Sequence, residues 1–244
     1  MRLADKIIIV TGGTRGLGRA IAEQFHAEGA TVICAARNPY DIGEVATDRL
    51  VYRRVDVTEE ESVRDLMQTT VDTFGRIDVL VANAGVSRDG KIVRLALDDW
   101  DITVRTNLTG VFLCTKEAAA HMTARGEGRI ITVSSCVATK PVPGAAAYSA
   151  TKAAVEAFTR TAAIELGPKG VTVNCLAPGY INGGMGRRLA AAPERWQRYQ
   201  SRLVLDRLGT PEEVAAAAIF LATPASSYIN GHILEVSGGL RWMA

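Results

Sequence analysis

A chain of 244 residues is long enough to bury one large core and too short for two comfortable domains, so the whole span 1–244 reads as a single domain. Its 28 basic and 26 acidic side chains leave a net charge of +2 with no like-charged block, which argues against a nucleic-acid partner or an acidic tail. No apolar run is long enough to span a bilayer, and the four cysteines lack any Cys-x-x-Cys spacing.

The N-terminal stretch MRLADKIIIVTGG runs directly into a strand-and-turn pattern without the apolar region and cleavage site of a signal peptide. Cys34, Cys114 and Cys175 sit in apolar surroundings that suit buried free thiols, so a reducing, cytoplasmic setting is expected. From IIIVTG onward, β-rich apolar runs recur: TVICAA, LVYRRVDV, DVLVANAG, RIITVSS, VTVNCLAPG and HILEVSGG. They are continuous rather than alternating, the mark of strands covered on both faces. Helical patterns separate them at Gly16 to Glu28, Glu59 to Phe74, Asp98 to Ala124, Tyr148 to Leu166 and Pro211 to Ala222. The last opens with Thr210 as a cap, Pro211 in the first turn and Glu213 three residues after the cap. The fold class is therefore α/β: a single-domain Rossmann fold, a doubly wound parallel sheet of about seven strands with helices on both faces. Residues 183–207 interrupt the alternation and read either as a substrate lid or as an amphipathic surface insertion.

The first turn, TGGTRGLG from Thr11 to Gly18, lies where ligands bind a doubly wound sheet. Gly12, Thr14, Gly16, Leu17 and Gly18 would let the backbone approach a pyrophosphate, with the next helix presenting free N–H groups. No Gly-Lys-Ser/Thr follows, which excludes a nucleoside-triphosphate loop. At the end of the second strand, Ala35-Ala36-Arg37 offers no acid to a ribose diol. Arg37 and Arg15 instead supply guanidinium groups suited to the extra phosphate of NADP(H). Asp56 and Val57, ending the third strand, are placed to border the adenine.

Tyr148 and Lys152 lie four apart on a helical stretch and so share a face, where an ammonium would lower the pKa of the phenol. Ser135, ending the strand RIITVSS, could hold a carbonyl or alkoxide by a hydrogen bond near the same sheet edge. His26, His121 and His232 are isolated, and no metal site is expected.

TGGTRGLG, NAG at Asn83 to Gly85, Asn107 in RTNLTG, Ser135, YSATK at Tyr148 to Lys152, NCLAPG at Asn174 to Gly179 and the final SGG stand in one order along the whole chain. Together they closely resemble the single-domain short-chain dehydrogenase/reductase family. The resemblance implies Tyr148 as acid/base, Ser135 as carbonyl orienter, Lys152 bridging the nicotinamide ribose and Asn107 holding a proton-relaying water. It further implies that Asn83, Ala84 and Gly85 support the cofactor, that Pro178, Gly179 and Ile181 border the nicotinamide, and that the chain forms a homotetramer through the Tyr148 to Leu166 helix and the C-terminal segment.

NAGVSRDGKIVRLALDDWD and the tail from Arg207 look particularly like the 3-oxoacyl-carrier-protein reductases, a ketoreductase group of the family. The implied substrate is a small carbonyl or alcohol, first a 3-oxoacyl thioester that a carrier protein could deliver, with Arg129 and Lys169 as docking cations. Another secondary alcohol, or a non-catalytic NADP-binding sensor, are the competing readings. Two departures stand out: Gly183 replaces the threonine common after PGYIN, and the span from Asn38 to Leu50 is short enough to reduce the usual helix to a turn.

Overall fold

The structure, a computed structural model, describes residues 1–39, 47–183, 197 and 199–241. Seven strands form one sheet: β1 (Ile7–Thr11), β2 (Thr31–Ala36), β3 (Leu50–Arg54), β4 (Val79–Ala82), β5 (Gly128–Val133), β6 (Val171–Pro178) and β7 (Ile233–Val236). Their spatial order is β3-β2-β1-β4-β5-β6-β7, and every neighbouring pair is parallel. The chain lays β2 and β3 to one side of β1 and then returns to add β4 on the other. A crevice therefore opens between β1 and β4 at the carboxyl edge of the sheet.

The continuous apolar runs have a direct structural cause. Ile7 and Ile9 of β1 belong to one core, while Ile8 and Val10, pointing the other way, belong to a second. Helices α2 (Glu60–Phe74), α4 (Gly110–Arg125) and α5 (Ala146–Leu166) cover the first face with residues such as Met67, Met122 and Val155. Helices α1 (Gly16–Ala27) and α6 (Pro211–Ala222) cover the other with Ile21, Phe25, Val214 and Ile219. Full burial of each such side chain contributes about 1.5–3 kcal/mol, so a polar residue anywhere in β1 would be costly. The expected cap of α6 is present in both directions: Glu213 N–H donates to Thr210 Oγ1 at 3.3 Å and Thr210 N–H donates to Glu213 Oε2 at 2.8 Å.

Two expectations change. The helix anticipated from Asp98 to Ala124 is α3 (Leu97–Val104), then a π turn over Arg105–Thr109, then α4. The widened turn carries Asn107, and π bulges of this kind commonly mark functional positions. The strands also stop short of the apolar runs, with β3 ending at Arg54 and β4 at Ala82, which leaves Asp56, Val57 and Asn83 to Gly85 in edge loops. The anticipated turn between Asn38 and Leu50 falls mostly on 40–46, and most of the anticipated lid on 184–196 and 198; both lie outside the described residues.

Candidate active site

The residues singled out for the cofactor or the chemistry lie at the carboxyl edge of the sheet or on the first two turns of α1 and α5, except Asn107, which sits on the π turn ahead of α4 and bonds to the loop after β4. Thr11, ending β1, ties two loops together. Its Oγ1 accepts the N–H groups of Asn83 at 3.0 Å and Ala84 at 3.1 Å, and its carbonyl accepts Asn83 Nδ2 at 2.9 Å. Sequence reasoning passed over Thr11, although its place at the head of the glycine turn was the available signal. Gly12 follows with φ of +67°, where a side chain is strained, and a Cβ on Gly18 would collide with the Gly12 carbonyl and with Asn83 Nδ2. Gly16 and Leu17 open α1, and Thr14 Oγ1 donates to the Asn38 carbonyl at 3.1 Å, closing the loop against the end of β2. Arg15 occupies the N-cap position of α1 without a side-chain cap bond, and no acid sits in the first turn. Its N–H groups and dipole thus suit a phosphate, and the glycine cradle fits a pyrophosphate.

Arg37 is exposed just past β2, next to Asp56. Burial works against ionisation of Asp56, but hydrogen bonds from Thr58 and the charges of Arg37 and Arg105 prevail and lower its pKa. Val57 is buried beside it. Among the described residues that follow β2 directly, 37–39, no acid is present and Arg37 supplies a positive charge.

Asn107 is fully buried and locked to the backbone of one residue, Val86. Its Nδ2 donates to the Val86 carbonyl at 2.8 Å and its Oδ1 accepts the Val86 N–H at 2.8 Å, with Thr151 Oγ1 3.3 Å from Nδ2. Gly85 fits between Asn107 and Lys152: a Cβ there would stand 3.2 Å from Asn107 Oδ1 and 3.7 Å from Lys152 Nζ. Lys152 is buried, donates to the Val133 carbonyl at 2.7 Å and stands 5.5 Å from the centre of the Tyr148 ring. Desolvation lowers its pKa to about 8.

Tyr148 reverses an expectation. Burial pushes its phenol up to about 12, and the facing Ser135 hydroxyl only partly counters this. The expected lowering by Lys152 does not prevail, because the ammonium stands over the ring and is engaged by a backbone carbonyl. Ser135 itself caps a short turn, its Oγ accepting the Val137 N–H at 3.4 Å. Beyond it lies an apolar cluster of Cys136, Val137, Leu203 and Leu240 with Tyr148 and Tyr180 packed against it. Pro178 ends β6, Gly179 packs so closely on Ser237 that a Cβ would stand 2.7 Å from its Cα, and Ile181 is buried beside Gly209. The missing threonine at position 183 has a cause as well. A Cβ on Gly183 would stand 2.8 Å from Pro211 Cγ, so any larger residue must displace the start of α6.

Arg129 and Lys169 do not flank this site within the chain. Arg129 is the second residue of β5 and Lys169 precedes β6, so both lie at the amino edge of the sheet. Roughly six residues of extended strand, about 20 Å, separate that edge from Ser135. Among the described residues no cluster of His, Cys, Asp or Glu could hold a metal, and no helix is long and apolar enough to cross a membrane.

Comparison with known proteins agrees with this geometry. A sequence profile described as enoyl-(acyl carrier protein) reductase, of the short-chain alcohol dehydrogenase type, matches residues 12–241. The chain is 40% identical to a 3-oxoacyl-[acyl-carrier-protein] reductase of Synechocystis, covering 98% of each chain. It is 39% identical to the corresponding protein of Thermotoga maritima over 98% of this chain and 99% of that one. It is also 37% identical, over 98% of both, to the (2S)-[(R)-hydroxy(phenyl)methyl]succinyl-CoA dehydrogenase subunit BbsD of Thauera aromatica. With the glycine turn, the Tyr148–Lys152 pair and Ser135 gathered at one sheet edge, this chain belongs to the short-chain dehydrogenase/reductase family.

Proposed function

We propose that the chain reduces a 3-oxoacyl thioester to the 3-hydroxyacyl thioester, with NADPH as coenzyme and with Tyr148, Ser135, Lys152 and Asn107 as the groups that act. The observation that carries this reading is the meeting of Lys152 and Asn107 at Gly85, with the Tyr148 ring 5.5 Å from the Lys152 ammonium, beside a glycine cradle suited to a dinucleotide. The names of several relatives point to the same thioester class.

When bound, the nicotinamide supplies the hydride that the carbonyl carbon receives. The remaining work falls to side chains. Ser135 Oγ donates a hydrogen bond to the substrate oxygen and orients it. Tyr148 gives its proton to that oxygen as negative charge develops. A phenol held near 12 is fully protonated at neutral pH and still far more acidic than the alcohol it creates, so the transfer runs downhill. Lys152 supplies positive charge beside the phenolate left behind and donors for a ribose hydroxyl. Asn107, held to the Val86 backbone beside Gly85, is placed to help seat a water that relays a proton toward Lys152.

Arg37 and Arg15 support the preference for NADPH, since a guanidinium pairs with a ribose phosphate as bidentately as with a carboxylate. The decisive experiment follows NADPH oxidation with an acetoacetyl thioester. Absence of coenzyme- and ketone-dependent turnover would overturn the reading. On the same substrate, kcat/KM with NADPH should exceed that with NADH by at least about tenfold, the span of one or two lost charge-assisted bonds. Arg37→Asp should reverse the order, and an unchanged ratio would remove Arg37 from the phosphate site.

A homotetramer fits the outward faces of α4 and α5. Phe112 is 45% and Ile164 76% exposed, with Phe112 edge-on to Phe158. Light scattering that returned a monomer mass at micromolar concentration would exclude it. Four buried free thiols suit a cytoplasmic, reducing compartment. Carrier delivery remains part of the proposal for the thioester, without Arg129 or Lys169 as its docking points on this chain's own site.

A further inference from the structure

Arg202 is the only buried arginine among the described residues, 4% exposed, and no acid pairs with it there. Its backbone is held firmly: its N–H donates to the Tyr199 carbonyl at 3.0 Å, its carbonyl accepts Arg241 N–H at 2.8 Å, and the next residue, Leu203, bridges to Leu240. Its side chain is not held in the same way. One terminal nitrogen donates to the Tyr180 hydroxyl at 3.2 Å, while Nε is enclosed and has no hydrogen-bond partner. A guanidinium carries five N–H donors in a fixed fork, and burying it beside one neutral phenol leaves most of its hydration unreplaced. Buried charges without partners are rare because they are so costly.

The position of this cation is informative. Arg202 lies close enough to act electrostatically on both Tyr180 and Cys136. Cys136 directly follows Ser135, and both Cys136 and Tyr180 pack in the apolar cluster that includes Tyr148. Arg202 therefore stands beside the apolar cluster that packs against Tyr148 and whose Cys136 directly follows Ser135. Lys140, the other cation acting on Cys136, is already engaged by Glu235 at 2.7 and 2.9 Å. One guanidinium bonded to a single neutral phenol and set against apolar side chains matches a planar, singly charged anion better than a doubly charged phosphate.

We propose that Arg202 is a carboxylate receptor, and that the preferred substrate is a 3-oxoacyl thioester bearing a carboxylate beyond its reacting carbonyl. The inference rests on the ketoreductase reading and names the substrate class of that same site. A neutral acyl chain would leave the guanidinium with only the Tyr180 hydroxyl as partner among the described residues, whereas a carboxylate reaching its second terminal nitrogen would pair the charge.

The test uses 3-oxoacyl N-acetylcysteamine thioesters in a short series of chain lengths, each ending in a carboxylate or, at the same carbon, a methyl group. At the best length, kcat/KM for the carboxylate should exceed that for the methyl compound by about tenfold or more, as expected where a site is built to pair one polar group. Arg202→Gln should collapse this ratio to about one, and Arg202→Lys, which keeps the charge and loses the fork, should retain part of it. Using the ratio cancels any general loss of activity in a variant. A parent ratio near one with measurable turnover, or a ratio that Arg202→Gln leaves unchanged, overturns the inference and leaves the ketoreductase reading standing.

If neither compound turns over, the ketoreductase reading fails, and binding decides the receptor separately. In the presence of NADPH, hexanoate should raise the Tm of the parent more than hexanamide does, and equal shifts overturn it. That comparison also serves if Arg202→Gln does not fold.

Discussion

Tyr148→Phe is expected to lower kcat for carbonyl reduction about a thousandfold, within the range that loss of a positioned general acid brings, while NADPH affinity changes less than about threefold. The substitution deletes one hydroxyl and keeps the ring that packs against Cys136 and Val137. It leaves Lys152 bonded to the Val133 carbonyl and the glycine cradle untouched. Residual turnover would come from Ser135 and from bound geometry alone. Activity within tenfold of the parent would remove Tyr148 from the chemistry, and equal loss of coenzyme binding would mean the ring had shifted.

The pH profile gives a second reading of the same step. Because burial lowers the pKa of Lys152 to about 8, its ammonium is present below that pH and lost above it. The stabilisation it gives the phenolate left on Tyr148 must follow the same direction. The kcat/KM for reduction should be level through neutral pH and fall above about 8, while Tyr148, held near 12, keeps its proton across that window. In Lys152→Arg, whose guanidinium does not titrate there, the fall should vanish even though the overall rate is lower. A fall at the same pH in that variant would assign it to another group.

The sheet was readable because both of its faces are covered. Ile7 to Val10 feed two cores in alternation, and that requires a run of four apolar residues in the sequence itself. The site residues were readable for a related reason: in a parallel sheet, each residue just past a strand arrives at one edge. The errors concern quantities that depend on three-dimensional neighbours. WDITVRTNLTGVF has no glycine or proline ahead of Asn107 to announce a π turn, and the turn coincides with an amide locked to Val86, more than twenty residues away in sequence. The spacing of Tyr148 and Lys152 placed them together correctly, but the sign of the phenol's shift was decided by burial, which no helix register conveys. Arg129 is close to Ser135 in sequence but not in space, because β5 carries the chain from one edge of the sheet to the other. Gly183 faces Pro211, and Arg202 Nε has no hydrogen-bond partner among the described residues, only because of how the segments after β6 fold back.

The opposite edge of the sheet should carry a large single-residue effect on stability, at Asp78. This carboxylate is 5% exposed and immediately precedes β4. Its Oδ2 accepts the Ile7 N–H at 2.8 Å and Arg76 Nε at 3.0 Å, its Oδ1 accepts an Arg125 terminal nitrogen at 2.9 Å, and Lys6 Nζ stands 3.8 Å away. It thus joins the first residue of β1 to the last turn of α4, where a cation also suits the helix dipole. Asp78→Ala leaves a buried strand N–H without an acceptor and three cations without their shared anion. Arg76 and Arg125 are 42% and 31% exposed and can recover water, which keeps the loss at the lower end for a broken buried pair, about 3 kcal/mol. For a chain of this size that corresponds to a Tm lower by roughly 6–12 °C. Asp78→Asn keeps an oxygen for the Ile7 N–H and should lose about half as much. Because the active site lies about 20 Å away at the other end of the strands, kcat at a temperature where the variant remains folded should match the parent. A Tm within about 2 °C of the parent for Asp78→Ala, a shift worth under 1 kcal/mol, would show that water replaces the carboxylate at little cost and that this edge does not depend on it.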